Sequence, residues 1–223
     1  MKGSNQHYVG GAGWDYFEHF GQQLLSDEVN AEKAAKINKY LAPAKSLVDF
    51  GCSAGRITKL LKAEEKIGVE ISPTAAAAAQ QAGIEIVGDV SLLPDKSFDA
   101  VVSHHALEHV ENPFGVLQQF RRILKPGGQL ILVVPGEVGW YKRNRVWREE
   151  VNKHLFAWTP LTLGNLATAA GFRVSIAKSL RYEHESRFMR PVQKFRATKR
   201  LMGLLRQIFQ GETEVLLVAR AEQ

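Results

Sequence analysis

The feature that most constrains the fold of this chain is a strand, turn and helix pattern at residues 46–62. Residues 46–50 form an apolar, β-leaning run, and the turn Gly51-Cys52-Ser53-Ala54-Gly55 follows it. Residues 56–62 then have the spacing of a helix. This order opens a nucleotide-binding α/β unit. Glycine permits the sharp turn and lets a ligand approach the backbone with no Cβ atom in the way.

An acidic residue follows the turn at a suitable distance. Glu70 lies 19 residues after Gly51, at the end of a second apolar run, residues 66–70. An acid at this place is typical of sites that hold both hydroxyls of a ribose. The pattern therefore favours a nucleoside ligand.

Two other interpretations of the turn stay open on its own residues. Gly51 to Gly55 also spell G-x-S-x-G, the nucleophile turn of α/β hydrolases, with Ser53 as the nucleophile. That turn requires earlier strands, whereas the preceding residues have a helical pattern. A dinucleotide dehydrogenase needs a third glycine where this chain has Arg56.

Apolar runs alternate with helical patterns along the chain. They predict strands over residues 47–50, 67–70, 84–87, 98–103, 129–134, 172–179 and 214–219. This alternation predicts a parallel, doubly wound sheet, which binds its ligands at the carboxyl ends of the strands. The residues that fall at those ends are Gly51, Glu70, Asp89, His104 and His105.

Composition narrows the class further. The chain has 223 residues, 45% of them hydrophobic and 23% charged, which is ordinary for one globular domain. The longest aliphatic run, residues 130–134, is too short to span a membrane, and no apolar signal-peptide core is present at the N-terminus. The single cysteine, Cys52, excludes an internal disulfide and favours a cytoplasmic location. The net charge of +6 permits an anionic partner without requiring one.

Six stretches occur in an order and at spacings that are highly specific. They are residues 48–55, 68–73, 88–90, 98–102, 107–110 and 124–128. Through them the chain resembles the class I S-adenosylmethionine-dependent methyltransferases. It is especially similar to the small-molecule group that includes the quinone-ring O-methyltransferases. The resemblance is strong over residues 46–135, moderate over 154–177 and weak at both ends. One departure is Ser53, where the family usually has glycine.

The resemblance implies the fold and the domain organisation. The expected fold is α/β and Rossmann-like, with a doubly wound, mostly parallel seven-stranded sheet in the order 3-2-1-4-5-7-6 and helices on both faces. Residues 1–223 are expected to form one methyltransferase domain. Within it, residues 1–42 form an N-terminal helical cap, 43–135 the cofactor-binding half and 136–223 the substrate-side half with insertions.

The resemblance also implies the cofactor, S-adenosylmethionine, which leaves as S-adenosylhomocysteine. In this family Glu70 would hold the ribose hydroxyls, Ile71 would pack on the adenine, and Asp89 would accept from the adenine amino group. The full set of expected cofactor-binding residues is Asp49, Gly51, Cys52, Ser53, Gly55, Glu70, Ile71, Asp89, Val90, Ser103 and His104.

Three histidines, His105, His109 and His154, are the catalytic candidates. Methyl transfer from a sulfonium depends on alignment, and a base is needed only where the acceptor must lose a proton. His105 to His109 also spell H-x-x-E-H, a zinc-peptidase pattern whose histidines would share a helix face. Some quinone methyltransferases hold a divalent metal near this stretch, but there an acid usually stands in place of His105. We therefore predict no metal.

The expected acceptor is a small molecule, most favourably methylated on oxygen. Basic residues recur between 142 and 206 and indicate either an anionic group on the acceptor or a solvated face. We expect residues 1–21, 135–158 and 187–206 to roof the acceptor pocket. A nucleic-acid acceptor is less favoured, because no base-reading motif is present. A cofactor-binding partner module without catalysis is a further alternative, and the oligomeric state stays open.

Overall fold

The computed structural model describes residues 26–136, 153–181 and 213–222. Its helices are α1 (Asp27–Asn38), α2 (Arg56–Leu60), α3 (Pro73–Gln81), α4 (Pro113–Ile123) and α5 (Pro160–Ala169). Its strands are β1 (Ala44–Phe50), β2 (Ala63–Val69), β3 (Glu85–Val87), β4 (Phe98–His104), β5 (Leu124–Pro135), β6 (Phe172–Arg181) and β7 (Thr213–Ala221). Two short 3₁₀ turns, Val90–Leu92 and Leu107–His109, follow β3 and β4.

The described strands form one sheet in the order β3-β2-β1-β4-β5-β7-β6, which confirms the predicted fold class. Neighbours among β1 to β5 pair in parallel, and β7 is antiparallel to both β5 and β6. The direction of winding reverses between β1 and β4. In doubly wound sheets this reversal leaves a crevice at the carboxyl ends of the strands.

Apolar side chains bury both faces of the sheet. On β5, Leu130, Leu132 and Val134 pack into one core cluster, while Ile131 and Val133 pack into another, as strand alternation requires. Helices α4 and α5 contribute to the first cluster and α1 to the second. The prediction of helices on both faces is therefore confirmed.

Three of the helices around the crevice begin where the sequence supplies a capping side chain, whereas α2 follows Gly55 without one. Ser26, Ser72 and Asn112 each accept a hydrogen bond from the backbone N–H three residues further on. Proline follows Ser72 and Asn112 at the first helical turn, where its missing N–H costs no hydrogen bond. These caps set where α1, α3 and α4 begin.

Strands β2 and β5 begin earlier than the sequence predicts. β2 already pairs with β1 at Ala63, although exposed glutamates follow and hide the strand from an apolar pattern. β5 begins at Leu124, opposite Phe98, and continues through Gly127 and Gly128, which precede the predicted strand 129–134. Gly127 has a φ of 74° there, which glycine adopts without strain.

Several predictions concern parts of the chain beyond the described ranges. Of the predicted roof segments, only residues 135–136 and 153–158 are described, so the roof stays a prediction, as do the predicted domain boundaries. Within the described ranges, no helix has the length and apolar character needed to cross a membrane.

Asp99 ties the start of β4 to the start of β1. Its Oδ2 accepts from the backbone N–H groups of Lys45 and Ser46 at 3.1 and 2.9 Å, and its Oδ1 accepts from Lys125 Nζ at 2.7 Å. The Lys125 hydrogen bond, followed by those from Ser46, lowers the pKa of Asp99 to about 2.

We expect Asp99→Asn to destabilise the fold at pH 7 by about 1 kcal/mol, because asparagine carries no charge and has one acceptor oxygen for contacts on two sides. The lowered pKa means that this stabilisation is lost as pH falls from about 4 toward 2. Urea unfolding at neutral and acidic pH measures the difference, with the exposed Glu65→Gln as the control. A difference that does not shrink in acid would contradict this account.

Candidate active site

A cavity of about 510 Å³ opens at the predicted crevice, at the carboxyl ends of β1, β2 and β4. Its wall is built from the glycine turn after β1, the residues that follow β2 and β3, and the segment after β4. The expected cofactor-binding residues that line it are Asp49, Gly51, Cys52, Ser53, Glu70, Ile71, Asp89, Val90 and His104.

Two other expected cofactor residues, Gly55 and Ser103, are not among the described residues that line the cavity. Gly55 has a φ of 70° at the start of α2, and a Cβ atom there would lie 2.9 Å from Ile84 Cγ1. Ser103 is fully buried, and its hydroxyl donates to the Phe50 carbonyl at 3.1 Å. Both residues support the wall from behind.

The glycine turn requires three left-handed residues, Gly51, Ser53 and Gly55. Gly51 has a φ of 72°, and a Cβ atom on it would lie 2.3 Å from Ala106 Cβ, so only glycine lets the segment after β4 approach so closely. Ser53 has a φ of 50°, a conformation that costs a residue with a side chain about 1 kcal/mol. The strain falls on the position where the resembled family usually has glycine.

Glu70 connects the two turns that border the cavity. Its Oε2 accepts from the Ser53 N–H at 2.9 Å, and its Oε1 accepts from the Ser72 N–H at 2.8 Å. Burial raises the pKa of Glu70, and the hydrogen bonds from Ser72 and Ser53 partly oppose that rise. The Ile71 backbone also contributes to holding the carboxylate. Because its two oxygens can together accept about four hydrogen bonds, acceptor capacity remains for a ligand.

The end of the cavity formed by the residues after β2 and β3 combines apolar surface with a carboxylate. Ile71 is 40% exposed, and Asp89 accepts from the Ser91 N–H at 2.7 Å. Hydrogen bonding with the Ser91 side chain, followed by that from its N–H, lowers the pKa of Asp89. Arg122 donates to the carbonyls of Val90 and Leu93 at 3.1 and 2.8 Å and so holds the 3₁₀ turn after Asp89. A flat heteroaromatic ring with an amino group matches this end.

Asp49 carries a buried carboxyl group below the turn. The Thr58 hydroxyl donates to its Oδ2 at 2.6 Å, and the residue is only 3% exposed. Burial raises the pKa of Asp49 to about 7; the Thr58 hydrogen bond opposes the rise and the Glu70 charge adds to it. Asp49 is therefore poised to change protonation near neutral pH.

Glu214 of β7 brings a carboxylate to the end of β4. His105 Nε2 lies 3.0 Å from Glu214 Oε1, and Lys36 of α1 forms an ion pair with Oε2. Burial opposes ionisation of Glu214, but His105 and Lys36 together hold its pKa below the ordinary value. The neighbouring His104 is buried, which, with the charges of His105 and two lysines, lowers the pKa of His104 strongly.

Glu108 lies among three imidazoles. Its Oε1 is 3.6 Å from His105 Nδ1, 3.8 Å from His109 Nε2 and 4.0 Å from His154 Nε2. The side chain is fully buried, and neither carboxylate oxygen has a hydrogen-bond partner among the described residues. Burial raises the pKa of Glu108 to about 7, while the charge of His105 opposes the rise. This group can exchange a proton with its neighbours near neutral pH.

The three catalytic candidates occupy different places around Glu108. His105 and His109 line the cavity, whereas His154 is not among its described lining residues and packs its ring 4.9 Å from that of His109. His105 and His109 do not share the helix face that a zinc peptidase requires, so that arrangement is wrong for this chain. Only residues 107–109 form a helical turn, and His105 has a φ of 53° just before it.

Two groups of side chains combine atoms that can ligate a divalent cation, each with its ligand atoms within 4.8 Å of one another. They are His104 with His105 and Glu214, and Glu108 with His109 and His154. The absence of a metal stays a prediction.

Several wall residues carry no local signal in the sequence. Asn30 and Lys33 of α1 line the cavity, although the helix shows only an ordinary core-facing pattern. Glu214 is not among the described lining residues; it is 109 positions from its partner His105 and precedes the apolar residues 215–219 of its strand. Its polar character within that strand was the one hint of a role.

Comparison with known proteins agrees with this geometry. The sequence profile of a family described as a methyltransferase domain matches residues 17–175. A S-adenosylmethionine-dependent methyltransferase from Archaeoglobus fulgidus has a similar fold, with a TM-score of 0.67, 20% identity and coverage of 92% of this chain and 99% of that protein.

Two curated relatives match parts of the chain. A tRNA U34 carboxymethyltransferase from Methylococcus capsulatus is 30% identical over 159 residues, which cover 63% of this chain and 49% of the relative. A ubiquinone biosynthesis O-methyltransferase from Xanthomonas oryzae pv. oryzae is 31% identical over 98 residues, which cover 39% of this chain and 41% of the relative. The chain spans about half the length of the curated relatives it matches.

We expect Glu70→Gln to lower the free energy of unfolding by about 1–2 kcal/mol, because the amide nitrogen cannot accept from a backbone N–H and one buried donor loses its partner. Chemical denaturation measures the loss. The matched control is Glu85→Gln, an exposed residue on β3. A variant as stable as this control would show that the two backbone hydrogen bonds do not hold the turns.

We expect the stability of Asp49→Asn relative to the wild type to rise with pH. A raised folded pKa favours the neutral acid, so the wild type loses stability as pH rises from about 4 to about 7, whereas asparagine does not titrate. Between pH 5 and pH 8 the relative gain should reach about 2 kcal/mol. Denaturant unfolding across this range measures it, and parallel pH profiles for the two proteins would contradict a raised pKa at Asp49.

Proposed function

The chain belongs to the methyltransferase-domain family, and on that premise we propose that it transfers a methyl group from S-adenosylmethionine to an oxygen atom of a small molecule. Similarity to a ubiquinone biosynthesis O-methyltransferase over 98 residues supports oxygen as the accepting atom. A cytoplasmic location belongs to the same proposal and rests on the single cysteine, Cys52.

The observation that carries this proposal is the Glu70 carboxylate at the cavity wall. After accepting from Ser53 and Ser72, it keeps acceptor capacity, and ribose hydroxyls can donate to it. Ile71 offers exposed apolar surface to an adenine, and Asp89 offers a carboxylate to its amino group. The residues present therefore fit this cofactor.

The chain has a limited task in the reaction. S-adenosylmethionine, when bound, supplies a methyl group already activated on a sulfonium. The residues of the chain need to orient the cofactor and the acceptor, which alone removes much of the barrier. Gly51 contributes by leaving the backbone of the turn open beside the cavity.

A hydroxyl acceptor also has to lose a proton, and the histidine end of the cavity offers groups for it. His109 lines the cavity, and the Glu108 carboxyl lies 3.8 Å from its Nε2. His105 is held at its Nε2 by Glu214. We assign His109 as the base, with Glu108 stabilising the imidazolium that forms.

A second candidate function is modification of RNA. It is favoured by the 30% identity to a tRNA U34 carboxymethyltransferase and by the net charge of +6. Binding through neutralised phosphates weakens steeply as salt rises. Salt-sensitive binding of tRNA, together with methyl transfer to it, would favour this candidate over a small-molecule acceptor.

Titration with S-adenosylhomocysteine and a labelled-methyl assay over a panel of hydroxylated small molecules and tRNA test the proposal. We expect the wild type to bind the product and to methylate a small molecule. His109→Gln should retain product affinity and lose about 100-fold or more in turnover, as removal of a base does.

The control for this assay is His154→Gln, which alters the same cluster outside the cavity lining. Failure of the wild type to bind S-adenosylhomocysteine would exclude the proposed cofactor. Full turnover by His109→Gln would exclude that histidine as the base, and product binding without methyl transfer to any acceptor would favour a partner module.

A further inference from the structure

The loop after β3 is held by the side chain of Arg122, near the end of α4. Its Nη1 donates to the Leu93 carbonyl at 2.8 Å and its Nη2 to the Val90 carbonyl at 3.1 Å. The guanidinium also forms an ion pair with Asp95, and its Nε donates to Gln119 Oε1 at 2.8 Å. All three nitrogens of the group are therefore engaged, which holds the planar fork in one orientation.

The helix that carries Arg122 is fixed to the core. Leu117, Phe120 and Ile123 of α4 are fully buried and pack into the first core cluster with the sheet. Arg122 itself is not among the described residues that line the cavity. Any effect that it has on a ligand must therefore pass through the residues that it holds.

One peptide group connects Arg122 to the carboxylate of Asp89. The carbonyl of Val90 accepts from Arg122 Nη2, and the N–H of the same peptide group, that of Ser91, donates to Asp89 Oδ1 at 2.7 Å. Because a trans peptide group is planar, its carbonyl and its N–H point in opposite directions and turn together. Donation to the carbonyl also polarises the N–H and strengthens the hydrogen bond that it donates. Arg122 thus fixes the direction from which the Asp89 carboxylate is held.

Asp89 depends on this support because it is exposed and lies beyond the end of β3. Its hydrogen bonds with Ser91 lower its pKa, so the carboxylate is ionised at neutral pH. An ionised carboxylate accepts hydrogen bonds and donates none. It therefore favours a ligand atom that donates, such as the amino group of adenine, over the oxo group of a 6-oxopurine.

We propose that Arg122 positions the Asp89 carboxylate through the peptide group between Val90 and Ser91, and so determines that the cavity selects an aminopurine over an oxopurine. This inference rests on the proposed function, in which Asp89 accepts from the adenine amino group. It adds the residue on which that selectivity depends. Arg122 does not touch the ligand; it is a positioning residue that acts through Asp89.

The test compares S-adenosylhomocysteine with S-inosylhomocysteine, in which an oxo group replaces the amino group of the purine. Calorimetry with the full chain measures the affinity of each compound. The variants are Arg122→Met, which removes the guanidinium, and the milder Arg122→Lys, which keeps the charge without the fork. The control is Arg121→Met on the same helix. Arg121 also donates to two backbone carbonyls, those of Gly171 at 3.1 Å and Glu222 at 3.3 Å, and neither residue is among the described lining of the cavity.

We expect the wild type and Arg121→Met to bind S-adenosylhomocysteine about tenfold more tightly than S-inosylhomocysteine, the scale of one hydrogen bond to a charged group. In both Arg122 variants this ratio should fall to about threefold or less, because the carboxylate is no longer held in one direction. A purely structural role would lower the stability, as in the control, and leave the ratio unchanged. An unchanged ratio in Arg122→Lys, or in folded Arg122→Met, would therefore overturn the inference.

Asp89→Ala supplies a second measurement. If Arg122 acts through Asp89, the ratio in the double variant Asp89→Ala/Arg122→Lys should equal that in Asp89→Ala alone, because residues of one hydrogen-bond network do not act additively. An independent further fall would overturn the inference, as would equal binding of the two compounds by the wild type. These outcomes leave the proposed cofactor intact. A wild-type protein that binds no S-adenosylhomocysteine would overturn the proposed function and this inference together.

Discussion

The carboxylate of Glu70 is the contact on which the cavity depends. It accepts from the backbone of the turn after β1 and from the backbone that leads into α3, and so it fixes the distance between the two turns. Backbone hydrogen bonds from Gly51 and Cys52 to the Val69 carbonyl join the first turn to the end of β2, and the Glu70 side chain adds the link to the turn before α3. Close approach of Ala106 to Gly51 then closes the third side of the cavity. One side chain thus performs a structural task and leaves acceptor positions for a ligand.

The parts of the site that follow from sequence are those with local signals. Gly51 and Glu70 come directly after β1 and β2, Asp89 comes two residues after β3, and the parallel sheet brings the ends of these strands to one edge. Their meeting needs only the strand pattern and the rule for doubly wound sheets. The sheet order was likewise predictable, although only through resemblance to a family, because periodicity alone does not place β7 between β5 and β6.

The histidine end of the cavity was not predictable in the same way. The motif at residues 105–109 has the spacing of a helix, but the backbone makes one 3₁₀ turn over residues 107–109, and His105 lies before it, so the two histidines share no helix face. The surroundings of Glu108 include His154, which comes from a later segment of the chain. They therefore depend on tertiary packing. The place of Lys33 was likewise not predictable, because it borders the cavity only through the packing of α1 on the sheet.

The antiparallel insertion of β7 has a consequence for the order in which the protein matures on the ribosome. β7 pairs with both β5 and β6, and it carries Glu214 to His105. A nascent chain that has emerged only as far as β6 has the glycine turn and Glu70, but not the carboxylate beside His105. Completion of the histidine end of the site therefore waits until β7 has been synthesised and has entered the sheet.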